Sequence, residues 1–155
     1  MGSIMPVTGS QVAAKAREFV GTPFQHQGRR KGRALDCVGL PLCVGEELGL
    51  LDRNKVPFKG SDNQNYSSQP LDAFVHDEAK RRLAEKPVEQ MQDGDVVILR
   101  IPTVPCHAAI ACTTNGVRGM IHAYSGNGKC VEHVMDDKWR KRIAGVFSYP
   151  GVTNG

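Results

Sequence analysis

DGDVVILRIPTVPCHAAIACTTNGVRGMIHAYSGNGKCVEHV, residues 93–134, decides the fold of this 155-residue chain. Short β-type runs, DVVILR, HAAIACT, RGMIHAY and KCVEHVM, alternate with turn signals at Asp93-Gly94, Asn115-Gly116 and Gly126-Asn127-Gly128. Branched and aromatic side chains suit a pleated surface, and Asn-Gly or Asp-Gly pairs supply the positive φ of a tight reversal. A further run, IAGVFSY, follows at 143–149. Connections this short leave no room for crossover helices, so the expectation is an antiparallel sheet of about five strands.

Upstream the texture is helical. Thr8 and Gln11 have capping-box spacing, and Val12, Ala13, Ala16, Phe19 and Val20 recur at helical intervals until Gly21 and Pro23. QHQGRRKGRAL, residues 25–35, is polar, basic and punctuated by glycine, and therefore a loop. Asp36 suits the N-cap of a second helix running to about Leu50, with Leu40, Val44, Leu48 and Leu51 on one face. Pro41 falls near its first turn, where a missing N–H is tolerated. A polar connection at 52–69 leads to a third helix from Pro70 to about Lys86, with Leu71, Phe74, Val75 and Leu83 as its buried stripe. Helices first and sheet afterwards make the chain α+β.

Composition agrees with one ordinary domain: 40% hydrophobic, 23% charged and 6% aromatic residues. No apolar run approaches the ~18–20 residues of a membrane span, which excludes membrane insertion. A net charge of +4 is mildly basic, well short of a nucleic-acid-binding signature. The start, MGSIMPVTGS, lacks the basic and apolar regions of a secretory leader, so synthesis in the cytoplasm is expected. Five cysteines without a CxxC pair point to reduced thiols. Cys106, His107 and Cys112 cluster in sequence, but without a second paired-ligand motif they make a poor zinc site.

The sharpest chemical feature is LDCVGL, residues 35–40. A cysteine directly after an N-cap lies where unpaired N–H groups and the helix dipole favour an anion. That expectation makes Cys37 a low-pKa thiolate whose neighbouring N–H groups can also receive an oxyanion. The plain alternative is a buried cysteine opening a helix. A thiolate attacking an amide needs a proton-transfer partner, and His107 opens the strand HAAIACT. Ala109 and Ala111 follow on its own face, small enough to admit a helix and bring Cys37 within reach. His122 lies across the Asn115-Gly116 hairpin, placed to accept the Nδ1–H of His107. His26, His76 and His133 read as loop, helix-surface and strand-surface residues without chemistry, and Asp95 reads as a turn residue.

Taken in order, GTPF, DCVGL, GDVVILR, HAAI and MIHAYSGNGKCVEHV resemble the NlpC-type cell-wall cysteine peptidases, a papain-like group. The ending VEHVMDDKWRKRIAGVFSYP is most similar to the bacteriophage tail branch. The resemblance covers about residues 11–150, within a single domain spanning 1–155. It implies Cys37 as nucleophile, His107 as base and His122 as the orienting third residue, with neither cofactor nor metal. Phe24 stands where the family carries a tyrosine, Val38 replaces a serine, and Ala108-Ala109 replaces Val-Gly. Phe24, Asp36, Arg29, Arg30 and Arg33 are the candidate substrate-binding residues. The basic loop is either a solvated charged surface or a clamp for the carboxylates of an acidic peptide.

The implied activity is hydrolysis of an amide in peptidoglycan stem peptides, at the bond between D-γ-glutamyl and diaminopimelate. The implied setting is a phage or prophage tail, with other tail proteins as partners and the bacterial wall as the site of action. Two alternatives stay open: an acyltransferase or deamidase with the same triad, and a tail assembly module without activity.

Overall fold

The computed structural model describes residues 6–51, 74–101 and 105–153. In chain order the elements are β1 (Val7–Thr8), α1 (Gly9–Arg17), β2 (Arg29–Arg30), β3 (Ala34–Leu35), α2 (Gly39–Glu47), α3 (Phe74–Arg82) and β4 (Ala84–Lys86). They continue with β5 (Val96–Arg100), β6 (Pro105–Thr114), β7 (Val117–Tyr124), β8 (Lys129–Val134), α4 (Asp137–Arg140), β9 (Ile143–Ser148) and β10 (Val152–Thr153). Six strands form one antiparallel sheet in the order β4-β9-β5-β6-β7-β8, while β1 pairs β10 in parallel and β2 pairs β3 as a small ribbon. The α+β reading and the antiparallel sheet both hold.

The first helix begins where the sequence says it should. Thr8 accepts from the Gln11 N–H at 3.2 Å and Gln11 Oε1 accepts from the Thr8 N–H at 2.9 Å, closing both halves of the capping box. The third helix is shorter than expected. Its described part ends at Arg82, and residues 84–86 become the edge strand that raises the sheet from five strands to six. Pro87 disfavours helical geometry at the residue before it, and β9 offers that segment a ladder partner. The connection 52–69 and residues 70–73, including Leu71, lie outside the described residues, as does the Phe74 side chain.

Both faces of the sheet are covered, so the central strands are apolar throughout instead of alternating. On one face Val12, Ala16, Leu40, Val44 and Ala79 of the helices meet Val96, Ile98, Ala108, Ile110, Ile121 and Phe147. On the other, Val97, Leu99, Ala109, Ala111 and Met120 pack with Met135, Trp139 and Ile143. This corrects the role expected of Ala109 and Ala111. They do not admit the Cys37 helix; they line the face covered by the 135–143 segment, and Ala108 and Ile110 meet the helices.

A buried carboxylate controls the entry to α2. Asp36 is 2% exposed; its Oδ1 accepts from the Gly39 N–H and from Arg29 Nη1, both at 2.8 Å, and its Oδ2 accepts from the Gln27 N–H at 2.7 Å. The Asp36 carbonyl accepts from the Leu40 N–H at 3.2 Å, so the first helical turn reaches back to Asp36 although regular helix starts at Gly39. Gly28 and Gly39 allow the loop to lie on this turn, since a Cβ at Gly39 would stand 2.3 Å from the Gly28 carbonyl oxygen. Asp36→Ala removes the cap and takes the Asp36 carboxylate from part-buried Arg29. We expect a loss of about 3–5 kcal/mol in urea denaturation, the usual cost of breaking a buried pair on one side. Asp36→Asn, which keeps an acceptor for the Gly39 N–H, should lose less. A loss below about 1 kcal/mol for the alanine variant would contradict this role.

Candidate active site

Strand β6 builds the site because its two edges end at different places. Its pairing with β5 extends to Leu99↔His107, whereas its pairing with β7 begins only at Ile110↔Ile121. The Ala111 N–H bonds Asp95 O on the β5 side, so the main-chain groups of even-numbered β6 residues face β7. At residues 106–108 that edge has no ladder partner among the described residues, and Cys37 occupies it. Its thiol donates to the Cys106 carbonyl at 3.8 Å, and its sulfur accepts from the Ala108 N–H. Both contacts flank His107. The nucleophile candidate thus lies against the residue that carries the base candidate.

Three imidazoles run in line from that point. His107 Nε2 is 2.7 Å from His122 Nδ1, His122 Nε2 is 2.8 Å from His133 Nε2, and His133 Nδ1 is 2.9 Å from the Val134 carbonyl. Tyr124 stacks on His122 with ring centroids 5.4 Å apart, and Trp139 meets the His122 ring edge-on at 5.1 Å. Juxtaposition of His107 and His122 follows the sequence reading, but the nitrogen differs. His122 meets Nε2 of His107, not the Nδ1 the sequence reading expected.

Sequence reasoning missed His133 and Trp139. The ladder pairs His122 with Val131, which places His133 diagonally beside His122 on the same sheet face. Counting register back from the Gly126-Asn127-Gly128 turn would have revealed it. Arg142 was missed too. Its guanidinium lies 5.1 Å over the Trp139 ring, and its charge acts on His107.

Burial sets the electrostatics and overturns the expected standing thiolate. Desolvation, followed by the negative charge of adjacent Asp36, pushes the Cys37 thiol up to about 12, against weaker help from the Ala108 N–H and Arg29. Burial, with the Arg142 charge behind it, lowers His107 to about 3; burial and the two neighbouring imidazoles lower His122 to about 2. The resting site is therefore a neutral thiol beside neutral imidazoles.

The proposed substrate clamp is largely occupied by the protein itself. Arg29 is held by Asp36 and by the Gly28 carbonyl, and Lys31 bridges Glu18 at 2.8 Å and Glu47 at 3.0 Å. Arg30 and Arg33 are exposed. Asp36 faces Arg29 and the helix start. Phe24 is half-buried and packs against the helix-side core. Asp95 is a buried turn residue, accepting from the Gln92 N–H at 2.8 Å and from Lys86 Nζ at 2.9 Å. Cys106 and Cys112 bond apart, to Ile101 O and to Thr114 Oγ1, and no metal-ligand grouping occurs among the described residues.

The fold has solved counterparts. The crystal structure of the NlpC/p60 domain of the peptidoglycan hydrolase SagA superposes with a TM-score of 0.61 at 19% identity, covering 92% of this chain and 99% of that one. An NlpC/P60 family protein from Bacillus cereus ATCC 10987 gives 0.61 at 16% identity, and NlpC1 from Trichomonas vaginalis gives 0.61 at 14%. Each of the latter two covers 95% of this chain, which spans 42% and 46% of their respective lengths. No protein-family model matches the sequence, and no curated protein does. At these identities the likeness establishes the fold: this is the papain-like fold of NlpC/p60 domains.

Two measurements follow from the neutral site. Iodoacetamide labelling of Cys37 in the unliganded protein should be slow at pH 7 and rise only in alkaline solution, because the thiolate is the reacting form. Labelling that persists at pH 5 would contradict a neutral thiol at half-buried Cys37. The second concerns stability. His107 and His122 take up protons in the unfolded chain below about pH 6.5 but not in the folded one until about 3 and about 2. Their stabilisation is complete above pH 6.5 and lost as pH falls towards those values. The pair should therefore lower stability as pH falls through that window, read as a falling urea midpoint. A midpoint flat from pH 7 to 5 would contradict it.

Proposed function

We propose that the chain is an NlpC/p60-type cysteine peptidase that hydrolyses an amide in peptidoglycan stem peptides. The observation that carries this reading is the lodging of the Cys37 sulfur against the main chain on both sides of His107, whose Nε2 is tied to His122. The likeness to a peptidoglycan hydrolase domain supports the substrate class. The bond we assign is that between D-γ-glutamyl and diaminopimelate, in keeping with the sequence resemblance. The tail-branch character of residues 131–150 supports work on a phage or prophage tail, among other tail proteins, at the bacterial wall.

In this mechanism the thiol leaves the Cys106 carbonyl and gives its proton to His107 Nδ1 as sulfur attacks the amide carbon. Proton transfer and attack belong to one step, because neither the thiolate nor the imidazolium is favoured beforehand in so buried a site. The oxyanion forms beside the first turn of α2. There Asp36 already takes the N–H groups of Gly39 and Leu40, leaving those of Cys37 and Val38 for the developing charge. His107 then returns the proton to the leaving amine and a thioester remains on Cys37. Water gives a proton to His107 and attacks the thioester, releasing the carboxylic acid and restoring the thiol. His122 holds the His107 ring and stabilises its charged form.

Digestion of purified peptidoglycan, with fragments identified by mass spectrometry, tests the proposal. We expect new amino termini on diaminopimelate. Cys37→Ala should lower the rate at least ~10³-fold in a folded protein, and His107→Ala should cost more than His122→Ala. Intact stem peptides after digestion, or an active Cys37→Ala variant, would overturn it.

A further inference from the structure

The line of imidazoles has a direction, set at its outer end. Val134 contributes a carbonyl oxygen, which only accepts, so His133 Nδ1 must carry a hydrogen and donate to it. A neutral His133 then has a bare Nε2, which accepts. His122 Nε2, 2.8 Å away, must therefore donate, and His122 Nδ1 is bare. His107 Nε2, 2.7 Å from that atom, must in turn carry the hydrogen. The other two bare nitrogens accept within the line, and the bare nitrogen at its inner end is His107 Nδ1. A single main-chain carbonyl on β8 thus dictates the tautomer of an imidazole two residues further along the line.

We infer that His133 is a positioning residue that holds His107, through His122, in the tautomer whose Nδ1 can accept the thiol proton. The inference rests on the proposed function only in identifying that proton; the tautomer order is a property of the folded chain. His122 alone would not fix it. Two imidazoles joined by one hydrogen bond can run in either direction, and in the reverse one His107 carries its hydrogen on Nδ1 and has no acceptor there for a thiol proton. The third ring and the carbonyl remove that choice. Packing supports the assignment: Trp139 meets both His122 and His133, with ring centroids 5.1 and 5.7 Å apart, and Tyr124 stacks on His122. These rings restrict rotation of the imidazoles.

The test is nitrogen-15 spectroscopy of histidine-labelled protein at neutral pH, where protonated and bare ring nitrogens are resolved, alongside peptidoglycan digestion. In the parent, His107 and His122 should show protonated Nε2 and bare Nδ1, and His133 the opposite. His133→Leu, at a partly exposed strand position, removes the acceptor. His107 should then divide between tautomers, and kcat should fall about 10- to 100-fold with KM little changed, as for outer partners of other functional histidines. His133→Gln returns an acceptor oxygen and should recover most of both signals. A parent His107 protonated at Nδ1, or a tautomer ratio unmoved by His133→Leu in a protein whose amide spectrum shows it folded, would overturn the inference. An ordered line in a protein that leaves peptidoglycan intact would instead sink the proposed function and leave the line standing.

Discussion

Asp36 is the constraint on which the site depends. One carboxylate, almost wholly buried, ends a basic loop, neutralises Arg29 and caps the helix that follows Cys37. The adjacent residue has little freedom. With Asp36 anchored on one side and the Gly28–Gly39 backbone contact on the other, the thiol can only point at the unpaired edge of β6. The same charge works against the chemistry, because it raises the thiol pKa. Placement comes at the expense of a ready-made thiolate, so on the proposed mechanism the proton would move only when substrate arrives.

Covering both faces of the sheet has a similar double effect. It makes β5, β6 and β7 a rigid platform, and it buries His107 and His122 where charge is costly. A neutral imidazole pair still needs every polar atom satisfied, and the line through His133 to Val134 meets that need on one side. The aromatic packing of Tyr124 and Trp139 closes the line from above. On the proposed function, the hydrogen bonds that stabilise the fold would be the same contacts that prepare His107 as a base.

Much of this was legible in the residues. The Thr8–Gln11 capping box, the Asp36 cap and the strand runs separated by Gly-containing turns all act locally, over three or four residues, and all appear where their chemistry puts them. What escaped depends on non-local facts. Which face of β6 meets the helices turned on the second layer from residues 135–143, so Ala109 and Ala111 were given the wrong partner. The extra edge strand at 84–86 exists because β9 lies beside it. Arg29 and Lys31 looked available to a ligand because their acidic partners, Asp36, Glu18 and Glu47, are distributed along the chain. His133 carried no signal by itself. Only the register of β7 on β8 makes it the neighbour of His122.

The central claim is that Cys37 itself takes the acyl group, and the most direct measurement is of that bond. A soluble stem peptide containing D-γ-glutamyl-diaminopimelate would be mixed with the protein, quenched in acid within the first turnovers, and mapped by mass spectrometry. The account predicts a thioester on the peptide containing Cys37, its added mass equal to the glutamyl half of the substrate. Substrate turned over with no acyl group on Cys37, or with one on Cys43, Cys106, Cys112 or Cys130, would contradict it.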